Sequence, residues 1–148
     1  MSIAGRLQED MKAALRAGAK ARLGVIRLAI AAIKQVEVDE RKTLDDAAVV
    51  AVLQKMLKQR RESISQYRAG KREDLVAIEE AEIAVLEEYL PQPMSAAALE
   101  QLIDEVLKET GATSVKDMGR VMGAIKARAA GAADMSAVGS LVRTRLGA

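Results

Sequence analysis

Apolar residues recur at spacings of three and four along most of this chain, which is the period of an amphipathic helix. Leu23, Ile26, Ile30 and Ile33 form one such stripe. No stretch alternates apolar and polar residues for long enough to predict a strand. The pattern predicts helices over residues 2–17, 19–41, 44–69 and 72–90, and then over 95–110, 114–130 and 134–146. The protein is therefore expected to be all-α.

Two prolines divide the chain. Pro91 and Pro93 stop the fourth helical pattern, and Ser95 can cap the helix that follows. The expected units are an N-terminal helical hairpin or bundle in residues 1–90, a linker at 91–94 and a three-helix tail domain in 95–148.

Cap residues predict where individual helices begin and end. Thr43 followed by Asp46 resembles a capping box, and Gly70 can end the same helix. Ser114 and Asp134 are the expected N-caps of the last two helices.

The composition excludes most catalytic chemistries, because the chain has no Cys, His, Trp or Phe. Zinc, haem and iron-sulfur centres lose their usual ligands, and nucleophilic sites that need His or Cys cannot form. Pairs such as Glu79 with Glu82, or Glu37 with Glu40, could offer oxygen ligands to a cation, but exposed glutamates are common on helices. We expect no catalytic residue, no metal and no cofactor.

No window approaches the roughly 18 apolar residues that a membrane span requires, and residues 1–12 lack the apolar core of a signal peptide. The sequence therefore predicts a cytoplasmic protein with no membrane partner.

The net charge of +2 hides a strong segregation of charge along the chain. On the third helix, Lys58, Arg61 and Arg68 project to one side with Lys55 at its edge, a face suited to a phosphate backbone. The fourth helix is acidic: between Glu73 and Leu90 the chain has no basic residue and carries Glu73, Asp74, Glu79, Glu80, Glu82, Glu87 and Glu88. An antiparallel hairpin would pair the two rows, so the basic face is a nucleic-acid contact, a partner for these carboxylates or simply a solvated helix face.

Arg60 projects into the apolar sector of the third helix, and Glu79 and Glu82 project into that of the fourth. An unpaired charge there would be costly. We expect a structural ion pair between Arg60 and Glu82 or Glu79.

The tail carries two glycines inside a helix, Gly119 and Gly123, which Ala127 continues into a groove of small residues. Each glycine costs about 0.5–1 kcal/mol relative to Ala and needs a reason. Close helix packing within the tail is the favoured explanation, and close approach by an RNA backbone or a partner helix is the alternative.

The residues beyond Thr110 include six basic and only two acidic side chains. The basic ones are Lys116, Arg120, Lys126, Arg128, Arg143 and Arg145. A basic helical module without stacking aromatics predicts RNA recognition by shape and phosphate contacts.

Several strings resemble the GatB/YqeY family. The tail carries Asp117-Met118-Gly119, Val121-Met122-Gly123, Gly131 and Ala133-Asp134. The first unit resembles the stand-alone YqeY-like proteins through Arg27-Leu28, Ala31-Ala32-Ile33-Lys34, Lys58-Gln59-Arg60, Glu62-Ser63, Gly70, Arg72, Asp74-Leu75, Glu82-Ile83 and Tyr89-Leu90-Pro91. Ala132 and Met135 depart from the pattern, since many relatives have a basic residue and Gly there.

The resemblance implies an all-helical protein whose tail is similar to the domain with which the glutamine-dependent aminoacyl-tRNA amidotransferase holds tRNA. The resemblance does not extend to carbon-nitrogen ligase activity, because the catalytic domains of that enzyme have no counterpart in this sequence. The leading hypothesis is a non-catalytic accessory protein that binds tRNA or a tRNA-bound enzyme. The alternative is a protein-protein adaptor that docks through its helical hairpin or its Met-bearing stripe and has no RNA role.

Overall fold

The computed structural model describes residues 1–147, and these residues form seven α-helices, one short 3₁₀ helix and no strand. The all-α prediction is confirmed. The helices are α1 (Ile3–Ala17), α2 (Lys20–Glu40), α3 (Asp46–Ala69), α4 (Glu73–Glu87), α5 (Ala96–Thr110), α6 (Met118–Ala129) and α7 (Met135–Arg145), with the 3₁₀ helix at Val115–Asp117.

The chain forms two compact units that divide between Leu90 and Pro91. The first contains α1 to α4 and the second contains α5 to α7. None of the helices in the described part of the chain is long and apolar enough to cross a membrane.

The N-terminus of α3 differs from its prediction. Asp45 is the N-cap, and its Oδ1 accepts a hydrogen bond from Ala48 N at 2.9 Å, whereas the predicted capping box of Thr43 with Asp46 does not form. Asp46 is instead the first helical residue, and its Oδ1 accepts a hydrogen bond from Ile3 N at 3.0 Å. The contact with α1 uses the carboxylate that the sequence pattern assigned to the cap.

The caps of the second unit are mostly as predicted. Ser95 Oγ accepts from Ala98 N at 3.1 Å, and Asp134 Oδ1 accepts from Ser136 N at 3.0 Å, so both N-cap predictions are confirmed. Ser114 makes no capping hydrogen bond, since the chain first forms the 3₁₀ helix and α6 begins only at Met118.

Gly70 is the C-cap of α3, as predicted, but its φ of −86° requires no glycine. The left-handed residue at this turn is Lys71, with a φ of 57°. The turn leads directly into α4, which runs antiparallel to α3: Arg68 near the end of α3 reaches Glu73, and Arg61 reaches Glu87.

The core of the first unit is aliphatic apart from one tyrosine. Its helices bury their apolar stripes against one another, which supplies the main stabilisation of such a bundle. The buried residues are Leu7, Val25, Ile26, Ala29, Ile33, Leu44, Val49, Leu53, Met56, Leu57, Leu86 and Tyr89.

The core of the second unit is smaller and wholly aliphatic. Its buried residues are Leu102, Ile103, Val106, Val121, Ile125, Ala129, Val138, Val142 and Leu146. Met118 and Met122 of α6 pack against this core. The predicted apolar stripe of α6 therefore faces inward, and the opposite side of the helix is exposed.

Candidate functional site

The exposed side of α6 carries the groove of small residues. Gly119, Gly123 and Ala127 are all exposed, and a Cβ atom built at either glycine would meet nothing within 4 Å. The favoured explanation, close packing within the tail, is wrong. These residues lie on the side of α6 away from Val121 and Ile125, which face the core.

Gly139 of α7, which the sequence pattern does not single out, faces the methionines of α6. A Cβ atom at Gly139 would lie 3.7 Å from Met122 Cε and 3.9 Å from Met118 Cε. Both are ordinary van der Waals distances, so Gly139 lies at the contact between α6 and α7, and an alanine would fit there. Its position among small and polar residues of α7 gives no periodic signal that separates it from the other glycines.

Two of the six tail cations stand unpaired at α6. Lys116 in the 3₁₀ helix and Lys126 in α6 are exposed and make no ion pair or side-chain hydrogen bond within residues 1–147. Arg120 pairs only with Asp117 in the turn before it, at 3.2 Å. Such an exposed pair contributes about 0–1 kcal/mol, so a phosphate can compete for this arginine.

The other tail arginines are divided between pairing and exposure. Arg128 pairs with Glu109, and Arg145 pairs with Asp104, so both are held against α5. Arg143 is exposed and makes no ion pair in the described part of the chain. The structure therefore leaves Lys116, Lys126 and Arg143 fully available.

The predicted basic face of α3 is partly neutralised by α4. Arg68 lies 2.9 Å from Glu80 and 4.0 Å from Glu73, and Arg61 lies 3.9 Å from Glu87. Lys55 and Lys58 remain exposed, without an ion pair among residues 1–147. Of the four predicted cations on this face, two thus act as partners of the acidic row.

Arg60 forms the ion pair expected of it. Its Nε donates to Glu82 Oε2 at 2.8 Å, and its Nη1 donates to the carbonyl of Met56 at 3.3 Å. The side chains of Arg60 and Glu82 are 11% and 25% exposed, so the pair is largely removed from water. Glu79 is half-buried and is not the partner.

A polar network around Tyr89 was not foreseen. The Tyr89 hydroxyl donates to Asp10 Oδ2 at 2.5 Å, and Arg22 Nη2 donates to the same hydroxyl at 3.4 Å. Arg22 also donates to Glu88 Oε2 at 2.5 Å, and the guanidinium of Arg6 lies 5.0 Å from the centre of the Tyr89 ring. The network joins α1, α2 and the residues after α4.

The network also shifts two pKa values. Burial, followed by the hydrogen bond to Asp10, raises the pKa of the Tyr89 hydroxyl above its ordinary value. The hydrogen bond to Glu88 raises the pKa of the Arg22 guanidinium. Both shifts favour the protonated groups that hold the helices together, which indicates a structural role. The sequence hint for this network is that Tyr89, one of only two aromatic residues in the chain, comes shortly before the first proline.

No group of side chains in residues 1–147 supports a metal site. No cluster of three or more acidic side chains is arranged to hold an ion there. Glu37 accepts a hydrogen bond from Leu44 N at 2.9 Å, and Glu40 lies 3.1 Å from Lys42.

Comparison with known proteins gives a consistent family. The model of the family described as Yqey-like protein matches residues 4–146. The chain is 36% identical to Altered inheritance of mitochondria protein 41 of Pyrenophora tritici-repentis over 84% of this chain and 71% of that protein. It is 32% identical to the protein of the same name from Meyerozyma guilliermondii, over 80% of this chain and 66% of that protein. The matched segment thus spans about two thirds of these relatives.

These names correct one expectation and agree with another. Each of these relatives is named as a mitochondrial protein, so the predicted cytoplasmic location is contradicted, and the names point to mitochondria instead. The prediction rested on missing signals, which is weak ground for a location. No enzyme name occurs among these relatives, in agreement with the expectation of a non-catalytic protein. From its first helix to its last, the chain belongs to the Yqey-like protein family.

Proposed function

We propose that this protein is a non-catalytic accessory factor that binds structured RNA, tRNA or a tRNA-bound enzyme, through the exposed side of α6. We call this surface the α6 face and define it by Gly119, Gly123, Ala127, Lys116, Arg120 and Lys126. The observation that carries the proposal is the open space at both glycines beside unpaired cations.

The two glycines support a close contact with another molecule. Each costs about 0.5–1 kcal/mol relative to Ala in a helix, and neither Gly119 nor Gly123 has a neighbour among residues 1–147 that would explain the cost. Without Cβ atoms, a sugar-phosphate backbone can approach the helix surface closely. Lys116 and Lys126 then neutralise phosphates from the two ends of the groove.

The composition of the tail favours recognition by shape. Residues 91–148 contain no aromatic side chain, so this unit offers no aromatic platform on which bases could stack. A folded RNA offers phosphates and 2′-hydroxyls in a fixed arrangement, which a small rigid groove with cations can recognise. The resemblance of this tail to the tRNA-holding domain of the amidotransferase makes tRNA the first RNA to test.

The alternative of docking through the Met-bearing stripe loses its support. Met118 and Met122 lie against Gly139 of α7 and pack on the core of their own unit. They are therefore not available as a docking stripe on the surface of the folded tail.

The test is a titration of fluorescently labelled tRNA with the full chain at low salt. We expect the double variant K116A/K126A to bind about tenfold more weakly, because two phosphate contacts are lost. The matched control is K55A/K58A, which removes two equally exposed and unpaired lysines from α3 and should change affinity less than twofold. Equal losses in both variants, or no binding by the wild-type chain, would contradict the proposal.

A second variant separates binding from folding. G119A/G123A adds two Cβ atoms into open space and removes two helix-interior glycines, so α6 should gain about 1–2 kcal/mol of stability in all. The same atoms obstruct close approach, and tRNA affinity should fall. Thermal unfolding and the tRNA titration together check this. A stabilised variant with unchanged tRNA affinity would show that the groove does not contribute to binding.

A further inference from the structure

The outward side of α2 carries a regular stripe of uncharged residues that no other part of the described chain covers. Its members alternate at spacings of three and four, which is the seam of a coiled coil. They are Ala21, Gly24, Leu28, Ala31, Gln35 and Val38, and all are exposed. Leu28 and Val38 are 52% and 61% exposed, so the stripe presents two large aliphatic side chains to solvent.

Four basic residues recur at a spacing of seven: Lys20, Arg27 and Lys34 lie on one flank of this stripe, and Arg41 follows as the left-handed C-cap just beyond α2. Residues that repeat every seven positions stay on one side of a helix. All four are exposed, and none makes an ion pair or a side-chain hydrogen bond within residues 1–147. Lys20, Arg27 and Lys34 occupy the flanking position whose charges select the partner in a coiled coil.

The carboxylates of α2 do not neutralise this flank. Glu37 Oε2 accepts from Leu44 N at 2.9 Å, Asp39 Oδ1 accepts from Gln35 Nε2 at 2.9 Å, and Glu40 pairs with Lys42 at 3.1 Å. Each acidic side chain of the helix is therefore engaged elsewhere, and the row of cations remains uncompensated.

Small residues in the stripe allow a second helix to come close. Gly24 lies in the interior of α2, and a Cβ atom there would meet nothing within 4 Å. Its cost in helix stability has no explanation in the surrounding structure. Ala21 and Gly24 before Leu28, and Ala31 after it, are exposed small residues that let a second helix approach α2 on both sides of Leu28.

We propose that this surface, which we call the α2 seam, binds an amphipathic helix of another protein whose apolar stripe is flanked by Asp or Glu. The partner's apolar residues cover Leu28 and Val38, and its carboxylates pair with Arg27 and Lys34. The apolar contacts provide the contact area, and the ion pairs select the partner.

Two other occupants fit the α2 seam less well. A phosphate backbone would use the cations but would leave Leu28 and Val38 against a charged chain. A second copy of α2 would bring like charges together or leave them unpaired, because the opposite flank offers Val25, Ala32 and Asp39, of which only Asp39 is acidic. An acidic amphipathic helix satisfies both the stripe and the cations.

The α2 seam lies in the first unit and shares no residue with the α6 face, so its test stands apart from that of RNA binding. The probe is a labelled three-heptad peptide with Leu and Ala at its seam positions and Glu at both flanks, titrated with the full chain. The control peptide has Gln in place of every flanking Glu. The chain variants are R27E/K34E and L28S, and K55E/K58E serves as the matched control because those lysines are equally exposed and unpaired.

We expect the Glu peptide to bind at least tenfold more tightly than the Gln peptide. R27E/K34E should weaken it at least tenfold and L28S about threefold, while K55E/K58E leaves it within threefold. All these positions are exposed, so the fold should persist, and a circular dichroism melt of each variant checks this. A peptide that fails to bind at millimolar concentration, or that binds independently of Arg27, Lys34 and Leu28, overturns the proposal.

An RNA arm tests the competing occupant. The labelled tRNA is titrated with R27E/K34E and with K116A/K126A. If tRNA affinity falls as steeply for R27E/K34E as for the tail variant, and L28S changes neither ligand, the α2 seam is a phosphate surface and the proposal is wrong. If only the tail variant loses tRNA, the two surfaces are separate, as proposed.

Discussion

The basic face of α3 and the α6 face look alike in sequence but differ in what stands opposite them. The antiparallel α4 brings carboxylates to Arg61 and Arg68, whereas no ion pair reaches Lys116 or Lys126 within the described chain. Two of the four cations on the basic face of α3 are therefore paired inside their own unit, whereas Lys116 and Lys126 at the α6 face are available to a partner. Helical periodicity alone cannot distinguish these two cases, because the difference arises only when helices pack.

This contrast predicts that charge changes at the α6 face act on binding, whereas charge changes at α3 and its neighbours act mainly on stability.

The largest expected effect is that of reversing charge at the α6 face. K116E/K126E replaces two attractions to phosphate with two repulsions, so tRNA affinity should fall about 100-fold at low salt. Fluorescence anisotropy measures it, and the melting temperature should stay within a few degrees because both side chains are exposed and unpaired. A loss below threefold would break the comparison.

The next largest effect concerns Arg60. R60M removes a cation that is 11% exposed and leaves Glu82 half-buried without a partner, which should cost about 2 kcal/mol in the free energy of unfolding. R61M removes an exposed cation 3.9 Å from Glu87 and should cost less than about 0.5 kcal/mol. Urea unfolding compares the two. Similar costs would show that burial does not distinguish these pairs.

A third prediction uses the raised pKa of Tyr89. Y89F removes the hydroxyl that donates to Asp10 and accepts from Arg22, so stability at neutral pH should fall by about 1 kcal/mol, with tRNA affinity unchanged.

The pH dependence of this loss has a definite sign. The folded chain keeps the Tyr89 proton at a pH where the unfolded chain, with an ordinary pKa near 10, releases it. The wild-type chain therefore loses stability as pH rises above about 10, by up to roughly 1.4 kcal/mol per pH unit from this group, and Y89F lacks that contribution. Urea unfolding between pH 7 and 11 checks it, and parallel pH profiles of the two chains would contradict it.

The smallest effect comes from releasing α3. E80Q/E87Q removes the carboxylates opposite Arg68 and Arg61 and leaves polar side chains of similar size. The freed arginines should raise tRNA affinity about threefold, since the added phosphate contacts are few and distant from the α6 face in sequence. E100Q/E105Q, on α5, serves as a control that removes two negative charges without freeing an arginine. If both variants gained tRNA affinity equally, the gain would come from the change in net charge and not from the freed arginines.

The sequence predicts the helices of this fold well, because their apolar stripes are long and their ends are marked by Ser95, Asp134 and the two prolines. It fails where a residue serves a neighbouring helix. Asp46 contacts α1 and leaves the cap of α3 to Asp45, and Gly139 rather than Gly119 lies at the contact between α6 and α7.

The candidate surfaces follow the same rule. The cations of the tail could be named in advance, but their availability depends on which of them α5 engages: Arg128 and Arg145 are held, and Lys126 is not. From the sequence, Arg27, Leu28 and Lys34 of the α2 seam are named only as residues that carry the family resemblance, and no binding surface is predicted there. The exposure of Leu28, and with it the seam, depends on how α2 packs against the other helices of its unit.

The most direct test of the α6 face is the salt dependence of tRNA binding. The logarithm of the dissociation constant should rise linearly with the logarithm of salt concentration, with a slope that counts the phosphates neutralised. K116A/K126A should lower that slope by roughly 1.5, the value for two lost phosphate contacts, while K55A/K58A leaves it unchanged. A slope unaffected by the tail variant, or lowered equally by both variants, would contradict RNA binding through α6.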